Sequence, residues 1–354
     1  MADSIKPLTD EQRAVLNESL EWRRLNRVNE ILQTWTPPQV IEKYYSIGQT
    51  GYDKFGCPLW ISAQGPIDIR GIMQSTTKKE LMRFMIYIME KNALNMREKP
   101  ERCSSQSICV VADMEHLSMW QMAYRPVSQI RNEMVSIYEA NYPENLRRIF
   151  IINGEKSIET APKLFTVIYN MMRPFMNQVT IDKICVYGFD KDEWQSALLK
   201  DIEADQLPAH YGGTMTDPAT GDPKCPHKLN MGGEVPHSYY VSNSKPVPKE
   251  GMQSLEIGSG SKKNLEFEIG ATNSVLRWEF MTEGGDIGFR IYHVAGSKQD
   301  IVEVVPVSRI ESHLVMEEGE IICDYIGKYV VEFENSFSFF KSKKVYYNVE
   351  LAVK

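Results

Sequence analysis

The sequence predicts two domains of different class: an α/β domain with a mostly parallel sheet covered by helices, followed by an all-β antiparallel sandwich. Up to about residue 215, continuous apolar strands alternate with helices, which is the pattern of a parallel sheet buried on both faces. Beyond residue 250 the apolar period changes to two, with turn residues between short segments, as in a sandwich. A chain of 354 residues is long enough to bury two cores.

In the first half, Thr9 and Gln12 form a capping box ahead of an apolar stripe, which predicts a helix over 9–34. Turn residues at 51–56 precede a short strand. Apolar runs predict strands at 58–61, 108–112, 149–152 and 184–188. Helical periodicity predicts helices at 78–92, 127–140, 161–176 and 194–202.

In the second half, a Gly- and Pro-rich segment with little periodicity predicts a connection over 216–250. Beyond it, Ile287, Phe289 and Ile291 alternate with other residues, and so do the apolar residues of 345–351. The Gly-Ser run at 258–261 follows no clear strand-to-helix junction, so we expect a turn there rather than a phosphate-binding loop.

Composition limits the partners and the compartment. The 40 basic and 47 acidic side chains give a net charge of -7, which disfavours nucleic acid as a partner. Six cysteines without short pairings favour reduced thiols in a cytoplasmic protein. The N-terminus lacks the apolar core of a signal peptide, and no apolar run reaches the ~20 residues of a spanning helix, so we expect any membrane contact to be peripheral.

Catalytic motifs are missing from the sequence. It contains no Gly-x-Ser-x-Gly elbow, no Walker loop and no His-Glu-x-x-His pair. Cys225 and His227 would need distant partners to hold a metal. We therefore predict a protein that is not an enzyme and has no metal site and no cofactor.

The helix at 161–176 carries an apolar surface wider than one face. Its stripe includes Phe165, Ile168, Tyr169, Met172 and Phe175. The pattern allows two interpretations. The helix is either buried in a core, or it is a hydrophobic gate that covers a cavity and contacts lipid when it opens.

Three polar residues, Glu144, Thr180 and Lys183, lie at the ends of predicted apolar elements in the same part of the chain. Taken alone, they are typical of a surface ion pair and a helix cap. The alternative is a polar rim beside an apolar cavity.

Several motifs resemble those of one family. They are GYD at 51–53 with GCP at 56–58, YPE at 142–144, APKLF at 161–165, RPF at 173–175 and YGGTMTDP at 211–218. In the second half they are LRWEF at 276–280, GKY at 327–329 and KKV at 343–345. With these residues the chain resembles the CRAL-TRIO lipid-exchange proteins, and within them the secretory-fourteen-like group that has a C-terminal GOLD domain.

The resemblance implies a domain organisation. It gives a shortened N-terminal helical region at 1–34, a CRAL-TRIO domain at 35–215, the connecting segment at 216–250 and a GOLD sandwich at 251–354. The chain lacks the Arg-rich segment that the family carries in its N-terminal bundle, and it inserts residues 154–160 ahead of the gate helix.

The resemblance also implies site residues and a function. Glu144, Thr180 and Lys183 match positions that bind the inositol phosphate headgroup in phosphatidylinositol-transfer members, and the gate and cavity positions match Phe165, Ile168, Tyr169, Met172 and Phe175. The implied function is binding and transfer of one hydrophobic ligand, which is a phosphatidylinositol-like phospholipid, a sterol precursor or tocopherol. The implied protein is cytoplasmic and visits endomembranes. The alternative is an adaptor or lipid sensor that binds a protein partner through its GOLD domain.

Overall fold

The computed structural model describes residues 9–98, 107–153, 173–241, 246–272, 274–294 and 301–352. The α/β part contains helices α1 (Asp10–Leu25), α2 (Ile31–Thr34), α3 (Gln39–Tyr44), α4 (Ile69–Ser75), α5 (Lys78–Glu98), α6 (Met119–Met122), α7 (Arg125–Asn141), α8 (Gln178–Ile181) and α9 (Lys191–Asp201). Its strands are β1 (Gly48–Tyr52), β2 (Pro58–Ala63), β3 (Ile108–Asp113), β4 (Leu146–Ile152) and β5 (Ile184–Val186).

The five strands form one sheet in chain order, β1-β2-β3-β4-β5. The pairs β2–β3, β3–β4 and β4–β5 are parallel, and only β1 pairs antiparallel with β2. Alternate side chains bury on opposite faces: Trp60 and Ile108 pack with α5 and α7, while Leu59, Val111 and Phe150 pack with α9. The predicted mostly parallel sheet, covered by helices, is confirmed.

Two local predictions in the α/β part were wrong. Strand β1 was missed because Gly48–Tyr52 has too few apolar residues for a strand pattern, and its pairing with β2 supplies the structure. The helix predicted over 9–34 ends at Leu25, since Arg27 adopts a left-handed φ of 51°. The capping box of Thr9 and Gln12 is present as predicted.

The second part is a sandwich of two antiparallel four-stranded sheets. Its strands are β6 (Gln253–Ile257), β7 (Lys262–Ile269), β8 (Ser274–Thr282), β9 (Ile287–Val294), β10 (Ile301–Ile310), β11 (Glu317–Cys323), β12 (Gly327–Glu334) and β13 (Lys343–Ala352). One sheet has the order β10-β9-β12-β7 and the other β11-β8-β13-β6. Ile287, Phe289 and Ile291 are fully buried, so the period of two marks the core face and the predicted sandwich is confirmed.

A buried junction joins the two parts. The Arg70 guanidinium pairs with the Glu317 carboxylate on β11 and lies over the Trp120 ring, 3.5 Å from its centroid. The Glu320 amide donates to the Ala123 carbonyl at 2.9 Å. A Cβ at Gly319 would meet the ring of its cross-strand neighbour Trp278 at 2.1 Å and the Ala123 carbonyl oxygen of the α/β part at 2.9 Å, so glycine lets β11 approach the α/β part this closely.

The chain between the two parts folds back on the α/β domain before it reaches β6. Lys228 Nζ donates to the Thr50 carbonyl at 2.8 Å, and the Gly233 amide donates to the Pro66 carbonyl at 2.9 Å. Leu229 and Val235 are buried. The predicted boundaries at 216 and 250 remain predictions. Among the described residues, none of the helices is long and apolar enough to cross a membrane.

Candidate functional site

The α/β domain contains an apolar cavity of about 460 Å³ between one face of its sheet and helices α5 and α7. The volume lies in the range of ligand-binding sites, about 300–1,000 Å³. Most of its lining is aliphatic. Seven methionines contribute to it: Met82, Met85, Met89, Met114, Met122, Met134 and Met176. Because methionine is unbranched and flexible, such a wall adapts to ligands of different shape.

Helical periodicity explains the wall. On α5, Leu81, Met85 and Ile88 recur at intervals of four and three residues, and all three line the cavity. On α7, Ile130 and Met134 follow the same spacing. The opposite wall is the sheet, where Val110 of β3 contributes. The apolar periodicity from which these two helices were predicted therefore also builds the wall of the cavity.

Buried polar links brace α5 at the cavity. Trp60 Nε1 donates to Asn92 Oδ1 at 2.8 Å, so strand β2 is tied to α5. Glu90, which is also buried, accepts a hydrogen bond from the Tyr142 hydroxyl at 2.8 Å. Arg23 of α1 donates to both oxygens of Glu90 at 2.9 Å. Helix α1 is thereby joined to α5 of the cavity wall by a bidentate ion pair.

The buried polar atoms of the lining that lack a hydrogen-bond partner among the described residues include Asn92 Nδ2 and the hydroxyl of Tyr138. Burial raises the pKa of Tyr138, so its hydroxyl stays protonated. Sequence analysis missed both residues. Asn92 lies four residues after Ile88 on the apolar stripe of α5, and a polar residue at that spacing was an available signal.

The three predicted headgroup residues lie at one edge of the sheet. Glu144 is exposed in the turn before β4, with φ of 59°, and Lys183 is half-buried directly before β5. The Lys183 carbonyl accepts from the Ile149 amide at 3.0 Å, so both residues stand at the amino ends of neighbouring parallel strands. Thr180 on α8 is half-buried and lines the cavity.

No hydrogen bond or ion pair between the described residues joins Glu144, Thr180 and Lys183 through their side chains. The backbone connects two of them, since the Lys183 amide donates to the Thr180 carbonyl at 3.1 Å. Asn177 caps α8 by accepting from the Thr180 amide at 2.8 Å. Their assignment to a headgroup site remains a prediction.

Most of the predicted gate lies outside the described residues. The predicted gate residues that lie there are Phe165, Ile168, Tyr169 and Met172. Phe175 is described, in a single 3-10 turn over Arg173–Phe175, and is 41% exposed. Its neighbour Met176 lines the cavity. The described end of the predicted gate therefore reaches the cavity wall.

One cluster of possible metal ligands occurs among the described residues. Carboxylate oxygens of Asp113 and Glu115 and a ring nitrogen of His210 lie within 4.8 Å of one another. Asp113 already accepts hydrogen bonds from Asn153 Nδ2 at 2.7 Å and from the Tyr211 hydroxyl at 3.3 Å. These bonds tie the ends of β3 and β4 to the Tyr211 turn, so the cluster has a structural role.

A helix-covered, mostly parallel sheet with an apolar, methionine-rich cavity on one face has the form of a binding site for a hydrophobic ligand. Residues 42–213 match the CRAL/TRIO domain, and this match supports a lipid-binding protein.

Protein ctg-1 of Caenorhabditis elegans is 29% identical, with 97% of this chain and 87% of the relative covered. The solved structure of Sfh5 is 17% identical, with a TM-score of 0.46 over 57% of this chain and 64% of that chain. A Yersinia pseudotuberculosis-derived mitogen is 8% identical, with a TM-score of 0.22 over 29% of this chain and 86% of that chain.

Proposed function

We propose that this protein is a lipid-transfer protein that takes one hydrophobic molecule into the cavity between the sheet and helices α5 and α7. The observation that carries the proposal is the apolar cavity of about 460 Å³ within a lipid-binding domain. Its ligand is a phosphatidylinositol-like phospholipid, a sterol precursor or tocopherol. We propose no enzymatic activity and no cofactor besides the bound lipid.

Acyl-chain burial does not select the ligand. Burying one methylene in the cavity gains about 0.8 kcal/mol, and removing it from a bilayer costs about the same. The two terms nearly cancel on extraction, so polar contacts and cavity shape decide selectivity. A charge-assisted hydrogen bond contributes about 1.5–3 kcal/mol, which corresponds to a tenfold or larger change in occupancy.

We propose that Thr180, Lys183 and Glu144 form the headgroup site. Two observations support this: Thr180 lines the cavity, and Glu144 and Lys183 lie at the same edge of the sheet. A cationic Lys183 would bind a lipid phosphate. An uncharged ligand would use the interior polar groups instead, so the site distinguishes phospholipid from sterol or tocopherol. The helix at 161–176 is proposed as the gate.

The direct test is ligand retention. The full chain is incubated with vesicles of mixed phosphatidylcholine, phosphatidylinositol, sterol and tocopherol, repurified, and its bound lipid measured by mass spectrometry. We expect about one hydrophobic molecule per chain. Protein that never carries a lipid after repurification would contradict the proposed function.

The headgroup site has a separate test. Lys183→Ala should lower phosphatidylinositol pickup by about tenfold and leave neutral lipid unchanged, because one charge-assisted contact is lost. Lys191→Ala is the matched control, since Lys191 is exposed in the first turn of α9. Equal loss of charged and neutral lipid would count against a headgroup role for Lys183.

A second candidate is an adaptor or lipid-sensing regulator that acts at endomembranes through a GOLD domain in the sandwich. The observation that favours it is the buried junction of Arg70 and Glu317, which fixes β11 against the elements of the cavity wall. Exchange between donor and acceptor vesicles separates the candidates. A transfer protein moves lipid, whereas an adaptor retains lipid without net transfer. Both candidates are proposed as cytoplasmic proteins that visit membrane surfaces.

A further inference from the structure

The loop between β12 and β13, residues 335–342, presents two adjacent aromatic side chains to solvent. We name it the aromatic tip. Phe339 is 86% exposed and Phe340 is 96% exposed, so almost none of either ring is covered by the described part of the chain. Large exposed apolar groups that adjoin one another mark contact sites for partners or membranes.

The backbone of the aromatic tip is held in place. Asn335 is fully buried, and its Nδ2 donates to the Lys341 carbonyl at 2.8 Å across the loop. Its own amide and carbonyl pair with the β6–β7 turn, through the Ser261 carbonyl at 2.8 Å and the Gly260 amide at 3.0 Å. The two exposed rings therefore project from a loop whose backbone is held by the hydrogen bonds of Asn335.

A third aromatic residue of the tip shows the contrast. Phe337 is half-buried between two cations, with Arg309 at 4.1 Å and Lys343 Nζ at 4.3 Å from its ring centroid. This packing anchors the base of the loop. Phe339 and Phe340 are only two and three residues further along the chain and have no such contact among the described residues.

Three lysines lie in the aromatic tip or on the strands at the same end of the sandwich. Lys341 follows Phe340 directly, and Lys344 and Lys263 lie on the adjoining strands β13 and β7. These three exposed lysines make no ion pair within the described ranges, whereas Lys262 pairs with Glu332 at 3.0 Å. Two acidic residues lie near Lys344: Glu283, and Glu256, which also accepts a hydrogen bond from Ser342. Since the whole chain carries a net charge of -7, exposed lysines at this end of the sandwich give it a preferred orientation toward an anionic surface.

We propose that the aromatic tip docks the protein on the surface of an anionic lipid bilayer. Phe339 and Phe340 insert into the interface, where aromatic rings are favoured, and the lysines lie against anionic headgroups. A protruding loop suits a deformable lipid surface, because a protein partner would need a pocket shaped to receive both rings. This docking site lies in the sandwich and does not depend on which lipid occupies the cavity.

The test measures binding of the full chain to vesicles by flotation. Vesicles of phosphatidylcholine with phosphatidylserine are compared with vesicles of phosphatidylcholine alone. The wild type should bind the anionic vesicles more strongly. The double substitution Phe339→Ser with Phe340→Ser should lower this binding by about tenfold or more. Lys341→Gln should lower it by about fivefold, on anionic vesicles only.

Ile326→Ser is the matched control. Ile326 is 62% exposed directly before β12, at the opposite end of the strand from the aromatic tip, and Asp324 lies nearby in sequence. We expect its vesicle binding to equal that of the wild type. A loss of vesicle binding equal to that of the double variant would show nonspecific hydrophobic adsorption and overturn the proposal.

Three further results would overturn membrane docking. The first is unchanged vesicle binding by the double variant, and the second is no binding of anionic vesicles by the wild type. The third is a wild type that sediments as a dimer while the double variant sediments as a monomer. The last would assign the tip to a second copy of the chain. Lipid content of the same samples is measured by mass spectrometry. Loss of vesicle binding with cavity lipid unchanged separates this proposal from the proposed function.

Discussion

The two cores of this protein use similar apolar residues but pack them differently. In the sandwich, Phe280, Phe289 and Phe333 are fully buried, with ring centroids 4.8–5.5 Å apart. In the α/β domain, a sheet face and two helices leave a cavity of about 460 Å³. Apolar composition alone therefore does not decide whether a core is filled or leaves a cavity. The shapes of the side chains and the links that hold the elements apart decide it.

The bracing is polar. The bonds from Trp60 to Asn92 and from Tyr142 to Glu90 attach α5 to neighbouring elements at fixed distances. We infer that these links hold α5 away from the sheet, because buried hydrogen-bonded groups are costly to separate from their partners. The aromatic core of the sandwich has three rings in mutual contact instead.

The largest expected effect comes from a substitution in the filled aromatic core of the sandwich. Phe289→Ala should lower the free energy of unfolding by about 3–5 kcal/mol, because Phe289 is fully buried and contacts Phe280 and Phe333. Urea denaturation measures the change. Phe189→Ala, at a 65% exposed ring, should change it by less than about 0.5 kcal/mol. Similar losses in both variants would contradict the description of a closed core.

The next effect breaks the bracing of the open core. Arg23→Met should lower the free energy of unfolding by about 2–3 kcal/mol, since buried Glu90 would keep only Tyr142 as a partner. The exposed pair of Arg24 and Glu21 is the control, and Arg24→Met should cost about 0–1 kcal/mol. Equal costs would show that the Glu90 links do not brace the wall.

A pair of enlarged side chains compares the two cores directly. Val331→Phe in the sandwich should cost about 1–3 kcal/mol by overpacking, because Val331 is fully buried. Val110→Phe should cost less, since Val110 borders the cavity and the new ring has space. It should also reduce retained lipid, measured by mass spectrometry. Retention at the wild-type level after Val110→Phe would argue against this cavity as the ligand site.

The smallest expected effect concerns the junction between the cores. Burial raises the pKa of Glu317 to about 7, although Arg70 opposes the shift. The folded state therefore binds this proton more tightly than the unfolded state, whose carboxyl has its ordinary value near 4.5. The stabilisation of the folded state by the proton on Glu317 is fully present below about pH 4.5, and it is lost as the pH rises through about 7.

Between pH 5 and 7, wild type should lose about 1–2 kcal/mol of stability relative to Glu317→Gln, which cannot titrate. Thermal unfolding of both proteins across this range measures the difference. Arg70, the charge that faces Glu317, is present in both proteins, so the pH dependence of the difference reports the titration of Glu317. A constant difference between the two would contradict a titrating Glu317 at the junction.

Sequence analysis alone determined the elements that local patterns specify. Continuous apolar runs indicated β2, β3, β4 and β5, and the change to period two indicated the sandwich. These predictions succeeded because the period of a helix or strand places side chains on one face independently of residues that are distant in sequence. The motifs at 142–144 and 211–218 indicated the resemblance to the CRAL-TRIO proteins for the same reason, since they are contiguous in sequence, and residues 42–213 match that domain.

Only the tertiary structure decided the features that depend on distant partners. Strand β1 exists because β2 pairs with it, and α1 ends at Leu25 because Arg27 turns the chain. The Asn92–Trp60 bond, the Glu90 links and the Arg70–Glu317 pair join residues that no local period relates. The cavity is the clearest case, because an unfilled space is set by how far α5 and α7 stand from the sheet. That distance follows from packing and bracing across the whole domain.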